Sequence, residues 1–284
     1  MLEGLVPLIP QFLWATNFVV SKVIVSRGLH ALALTAIRWT VAGALLYAYS
    51  KLVGDEVKVS KELLLPAITG ITGFSALIYA GLMVSKASIV GLTMALIPIF
   101  TAILARSYLK ERLSLVLTIS IVLGFVGEIL LTLGGMKGLS WLGAVLGALA
   151  ALDWAIYTVT SKKVMKDMGP MNLLTSAAIM AQPLNWALAL PFLSLKPLLD
   201  PVVDLGIIYV SLVPGFLAYF LWLYSVKLVG ASRAGVYINA LPLLTLILAY
   251  FTLGERLGLL ESIGALLILV ALALVTYESL KERH

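Results

Sequence analysis

Three ionisable side chains fall inside long apolar runs: Arg38, Glu128 and Asp153. A charge at membrane depth is costly enough to be a functional candidate by default. Asp153 stands near the middle of its run, directly before Trp154. Its carboxylate suits uptake of a coupling proton or cation, or binding of a substrate amine; the alternative is a structural pair with Arg38. Glu128 stands nearer the end of its run, where it can snorkel toward the interface. The same runs carry Trp14, Asn17, Tyr79, Trp154, Tyr157, Tyr224, Tyr237 and Asn239, away from the ends where interfacial anchoring would put them. Aromatic walls with a few amides and hydroxyls suit small, partly apolar metabolites through stacking and cation–π contact. Helix packing accounts equally well for any one of these residues.

Other chemistries lack their residues. The chain has no Cys and only two His, His30 and His284, so no metal site and no thiol chemistry are expected. GxSxG, HExxH and GxxxxGK[ST] are all absent, and Asp200 with Asp204 match no trusted acid pair, so neither an enzyme nor a nucleotide-driven pump is expected. No cofactor is implied.

The elements that must position these residues are membrane helices. Of 284 residues 61% are hydrophobic and 12% charged, with a mean hydropathy of +1.07. A span needs roughly 20 apolar residues. Ten such runs fit, at about 4–26, 32–53, 62–82, 88–106, 115–133, 140–161, 172–193, 204–226, 234–252 and 260–278, which predicts an all-α integral membrane protein. The first run has no basic residue ahead of it and is too long for a signal-peptide core, so it reads as the first span. The net charge of +6 is scattered over short loops, which fits a positive-inside bias and no nucleic-acid partner. With ten spans both termini share one side. That side collects thirteen Lys and Arg and the other six, with Arg38 inside a span, so both termini are expected in the cytoplasm.

The chain is also a duplication. PIFTAILARSYLKERL (98–113) and PLLTLILAYFTLGERL (242–257) share nine of sixteen residues at an offset of 144, and Trp14-Ala15 and Ser21-Lys22 meet Trp154-Ala155 and Ser161-Lys162 at an offset of 140. The expected units are 1–135 and 136–284, together one transmembrane domain. Five spans per unit is an odd number, so the second unit enters the membrane in the opposite sense. Inverted repeats around a midplane site suit a carrier that opens alternately to each side. Pro98 and Pro242 sit at matching mid-span places, where proline frees the carbonyl four residues earlier, those of Met94 and Ile238. These kinks either line a central cavity or bend the helices for packing. Inversion also puts Lys22 with Glu255 at one face and Lys162 with Glu111 at the other, as gate pairs or as ordinary helix-end charges.

WATNFVVSK near the start, and the repeated Pro, twelve residues, Glu-Arg-Leu at the ends of the fourth and ninth spans, resemble the drug/metabolite transporter superfamily, and within it the EamA-type family of ten-helix carriers. The resemblance covers essentially the whole chain. It implies two inverted five-helix repeats, cytoplasmic termini, and a cavity lined largely by the first, third, fourth, sixth, eighth and ninth spans. It also implies outward movement of amino acids and related metabolites, with nucleotide sugars or triose phosphates in more distant relatives. Arg38 fits a position where that family often has arginine, and Gln182 stands at the matching place of the seventh span. Phosphorylated cargo would call for several cationic groups, and only Arg38, with Lys22 or Lys162, is within reach. The reading is therefore a secondary transporter of neutral or zwitterionic metabolites, with a channel-like facilitator or a carrier of phosphorylated or nucleotide-linked metabolites as alternatives. The expected setting is the inner membrane of a prokaryotic cell; the expected partners are substrate, lipid and a coupling proton or cation, with the protein acting as a monomer.

Overall fold

The structure is a computed structural model that describes residues 5–85, 87–133, 140–244 and 258–281. These residues form α1 (Leu8–Ser26), α2 (Ala31–Leu52), α3 (Lys61–Val84), α4 (Ile89–Leu109), α5 (Leu115–Leu133), α6 (Trp141–Val164), α7 (Pro170–Phe192), α8 (Pro201–Val229), α9, which opens as Ala231–Tyr237 and resumes over 240–244, and α10 (Leu259–Lys281). Eight are long and apolar enough to cross a bilayer; α5 is a shorter apolar helix and α9 is described to residue 244. The protein is an all-α integral membrane fold of ten spans in two inverted five-helix repeats.

Local chemistry sets the helix starts. Asp200 accepts the Val202 N–H, with Pro201 in the first position of α8. Ser140 caps α6 through the Gly143 N–H, and His30 caps α2 by accepting the Leu32 N–H at Nδ1. The α8–α9 corner turns on Gly230, whose φ of 90° only glycine adopts freely.

The packing carries the duplication into three dimensions. Each half's third helix packs on the other half's first: α3 on α6, and α8 on α1. The second, fourth and fifth helices meet their own counterparts, α2 with α7, α4 with α9 and α5 with α10. In the α5–α10 pair, Gly127 and Gly264 bring the backbones together so closely that a Cβ on either would stand 2.8 or 2.5 Å from the other's carbonyl oxygen.

Helical hydrogen bonding is broken at matching places in the two halves. α3 winds through wide turns over Ala67–Thr72 and α8 over Ser211–Leu217, the same register at the offset of 144. α4 carries a tight turn at Thr93–Ala95, and α9 a turn at 238–239 where the Leu241 N–H donates to the Ile238 carbonyl at 2.9 Å. The carbonyl that Pro242 frees is thus taken by its own chain.

Candidate functional site

Trp14 and Trp154, equivalent residues of α1 and α6, meet edge to face across the pseudo-twofold, 5.1 Å between ring centres at 89°. Tyr219 of α8 closes on both, at 5.7 and 5.1 Å, and Phe74 of α3 lies 4.5 Å from Trp154. Beside this cage is a central cavity of about 30 Å³, walled by Gln11, Trp14, Asn17 and Phe18 of α1, Arg38 of α2, Phe74 and Ile78 of α3, Met94 and Ile97 of α4, Trp154, Tyr219, and Ile238 and Leu241 of α9. Both halves contribute. The volume admits one or two waters and no metabolite, so the site is shut in this conformation.

Among the described residues that line the cavity, Arg38 is the one charged group. Pro214 displaces the carbonyl of Val210, four residues before it, and Arg38 Nε donates to that oxygen at 3.1 Å. Arg38 Nη1 donates to the Tyr79 hydroxyl, and its guanidinium lies 5.3 to 5.8 Å from the ring centres of Trp39, Tyr79 and Tyr219. Arginine is buried at membrane depth because a proline-broken helix offers it an acceptor and aromatic faces cover its plane. Among the described residues no ion pair joins Arg38 to Asp153, so the structural pairing offered as the alternative for Asp153 is absent.

The two tryptophans differ in their N–H groups. Trp14 Nε1 donates to the Pro214 carbonyl at 3.0 Å. The matching acceptor for Trp154, the Gly70 carbonyl, is taken by the Tyr219 hydroxyl at 2.8 Å, and Trp154 Nε1 is buried with no protein partner. The amide of Gln11 donates to the Pro7 carbonyl, leaving its buried oxygen without a partner. Among the described residues, the fully buried wall atoms without a partner are therefore a donor, Trp154 Nε1, and an acceptor, the Gln11 oxygen, near an engaged arginine. Asn17 accepts from Ser21 within α1.

Other residues singled out by sequence lie elsewhere. Tyr79 stands behind Arg38, Tyr157 of α6 covers Gly70 of α3, and Asp153 sits one turn away against Gly73. Tyr224 is partly exposed and stacks on Phe220, while Tyr237 bonds Thr276 of α10. Asn239 packs onto Gly124 of α5, away from the cavity lining. Pro98 and Pro242 carry the kinks, and cavity-lining Met94 and Ile238 precede them. Glu128 does not snorkel: it is fully buried and faces the Ala95 backbone at the tight turn of α4. Aromatic type alone could not separate cavity walls from helix seams. Pro214, which frees the acceptor for Arg38, was a legible signal that the reading passed over.

The expected gate pairs act differently. Lys162 Nζ donates to the Val226 and Lys227 carbonyls at 2.9 and 3.0 Å, capping the end of α8. Glu111 accepts from the Ala231 and Ser232 N–H groups at 2.9 and 3.0 Å and from the Ser232 hydroxyl at 2.6 Å, capping the start of α9. Lys and Glu thus hold one corner from its two sides without forming an ion pair. Lys22 does at the opposite face what Lys162 does here, donating to the Leu82 and Ser85 carbonyls at 2.5 and 3.1 Å at the end of α3. Glu255 lies outside the described residues.

The chain matches the EamA-like transporter family twice, over residues 4–133 and 141–277. It is 29% identical over 215 residues to the uncharacterized transporter YyaM of Bacillus subtilis, covering 72% of this chain and 68% of that one. An uncharacterized transporter of Archaeoglobus fulgidus is 25% identical, with 92% and 94% of the chains covered, and the uncharacterized inner membrane transporter YedA of Escherichia coli is 24% identical, with 93% and 87% covered. A protein solved by crystallography superposes with a TM-score of 0.82 over 96% of this chain and 98% of its own, at 20% identity, a likeness of fold. With both halves matching its model, the chain belongs to the EamA-like transporter family of the drug/metabolite transporter superfamily.

Proposed function

We propose that this membrane transporter carries small neutral or zwitterionic metabolites, amino acids and related compounds foremost, by alternating access between two inverted halves. The observation that carries this reading is the polar complement of the cavity. Arg38 already serves Val210 and Tyr79, Trp154 Nε1 and the Gln11 oxygen are without partners among the described residues, Asn17 adds an amide, and the other walls are aromatic or aliphatic. One donor and one acceptor against aromatic faces suit a small molecule with a carboxylate or carbonyl and an amine or amide. A phosphorylated ligand would need several cationic groups, and one engaged arginine does not supply them.

The closed cavity and the matching helix breaks support alternation, because a site at the repeat interface opens as one half rocks against the other. Export is the direction implied by the resemblance. The uneven distribution of Lys and Arg supports cytoplasmic termini, and the relative called an inner membrane transporter supports the cell membrane as the setting. The test is thermal stabilisation of the purified protein against amino acids, nucleobases, sugars and phosphorylated metabolites, followed by counterflow in liposomes. Stabilisation by an amino acid with trans-accelerated exchange supports the reading. Stabilisation by phosphorylated compounds alone overturns the substrate class, and flux without trans-acceleration points to a facilitator.

A further inference from the structure

α3 and α8 break at the same register, and each break offers a carbonyl to a donor from the other half, Gly70 to Tyr219 and Val210 to Arg38, but only the α3 break also meets an acid. In α8, Pro214 removes an N–H and frees carbonyls, and the groups that meet the break are donors: Arg38 Nε on Val210 and Trp14 Nε1 on Pro214. In α3 the break contains no proline. Thr69 leaves helical geometry with ψ of −132°, and the backbone amide of Phe74, at the start of the helix that resumes at Gly73, faces the carboxylate of Asp153. The approach is close: a Cβ on Gly73 would stand 2.6 Å from Asp153 Oδ1, and one turn earlier Gly70 is covered by the ring of Tyr157. Among the described residues Asp153 Oδ2 is buried without a partner. At the offset of 140 the residue of α1 matching Asp153 is Leu13, so the other half has no acid at this place.

We propose that Asp153 is a proton-binding site that controls the α3 hinge, and that this control is confined to one of the two pseudo-symmetric hinges. The idea rests on the alternating-access reading. A proton from water adds to Oδ2, turning the carboxylate into a neutral acid with an O–H donor. The negative charge facing the first amides of the resumed helix Gly73–Val84 is then lost, and that helix is freed to move against α6. The site suits a proton better than a metal ion, because one free carboxylate oxygen falls short of the six or so oxygens a hard cation gathers, roughly, and the described residues contain no cluster of metal-ligating side chains. The titratable groups around Asp153 are Tyr157, one turn on along α6, and Tyr219 of α8; α3 presents Gly73 and Phe74. Arg38 is turned to Tyr79 and Val210 and does not pair with it.

The test needs no substrate, so it stands or falls apart from the choice of cargo. Infrared pH-difference spectra of the protein in lipid nanodiscs should show the carbonyl band of a protonated carboxylic acid appearing on acidification, absent from Asp153→Asn and retained in Glu128→Gln. Hydrogen exchange at residues 73–76, corrected for the intrinsic rate, should lose protection by roughly tenfold across the same transition, the scale of one charge at a helix start. In Asp153→Asn that protection should not vary with pH. Asp153→Leu, which copies the Leu13 arrangement of the other half, serves where the Asn variant folds poorly. A band that survives in both variants, or protection that still follows pH in them, overturns the proposal.

Discussion

Lys162 and Glu111 hold opposite sides of the α8–α9 corner through backbone groups, Lys162 on the last carbonyls of α8 and Glu111 on the first amides of α9. Each charge complements a helix end, so its sign is dictated by the dipole and not by the other side chain. Exchanging them, as Lys162→Glu with Glu111→Lys, should therefore fail to rescue either single reversal. Each reversal should lower thermal stability by about 2–3 kcal/mol, the scale of a hydrogen bond to a charged group, whereas Lys162→Arg should retain most of it. Rescue by the exchange would show that an ion pair matters more than the caps. At the Arg27–Asp200 bridge, 2.5 Å long, the arginine's hydrogen bond holds the Asp200 carboxyl below its ordinary value of 3.8, helped by the Val202 N–H. A depressed folded value means that the stabilisation is complete above the ordinary carboxylate range and is lost as pH falls through the lowered value. The difference in melting temperature between wild type and Arg27→Ala should be constant from neutral pH down to about pH 5 and should vanish on stronger acidification. A difference that changes between pH 6 and 8 would point to another group.

Among the helices, α3 and α8 carry the mechanical interest because they break where they pack on the other half's first helix. Gly70 and Gly73 admit Tyr157 and Asp153 of α6 to the α3 backbone. Gly70→Ala forces the Tyr157 ring aside and should cost about 1–3 kcal/mol as overpacking, read as a lower midpoint of thermal unfolding. Gly91→Ala is the control: nothing lies within 4 Å of the added carbon, and the change should be neutral or stabilising. Equal losses in the two variants would mean that the cost comes from helix backbone and not from the α3–α6 contact. The number of spans and their approximate limits were legible, since run length and hydropathy are set by the bilayer. The break in α8 was half legible in Pro214. The break in α3 was not, because Thr69 and Gly70 are ordinary helix residues in a membrane, and only α6 pressing on them marks the place.

At the scale of the molecule, the halves meet around a cavity of about 30 Å³ that is closed over Trp14 and Trp154. Lys22 and Lys162 cap the third helix of each half at opposite faces. Under alternating access, Lys22→Ala and Lys162→Ala should bias the protein open toward opposite sides. The chain has no native Cys, so single cysteines placed beside the cavity report this without background. Labelling by an impermeant reagent should rise from one side of oriented vesicles in one variant and from the other side in the second; a rise from the same side in both would argue against symmetric gating. The sequence by itself determined the class, the number of spans, the duplication and its inversion, because hydropathy and an odd span count act through the bilayer without any tertiary contact. It also marked Trp14, Asn17, Arg38, Met94, Trp154 and Ile238, six residues of the cavity wall. Only the tertiary structure decided what the charges touch. Lys22, Lys162, Glu111 and Arg38 all take backbone partners, and backbone carbonyls and amides belong to every residue, so no side-chain spacing announces them. The difference between Trp14 and Trp154 has the same origin: their sequence contexts match, but the hydroxyl of Tyr219 reaches the Gly70 carbonyl first, and that contact exists only once the two halves are packed.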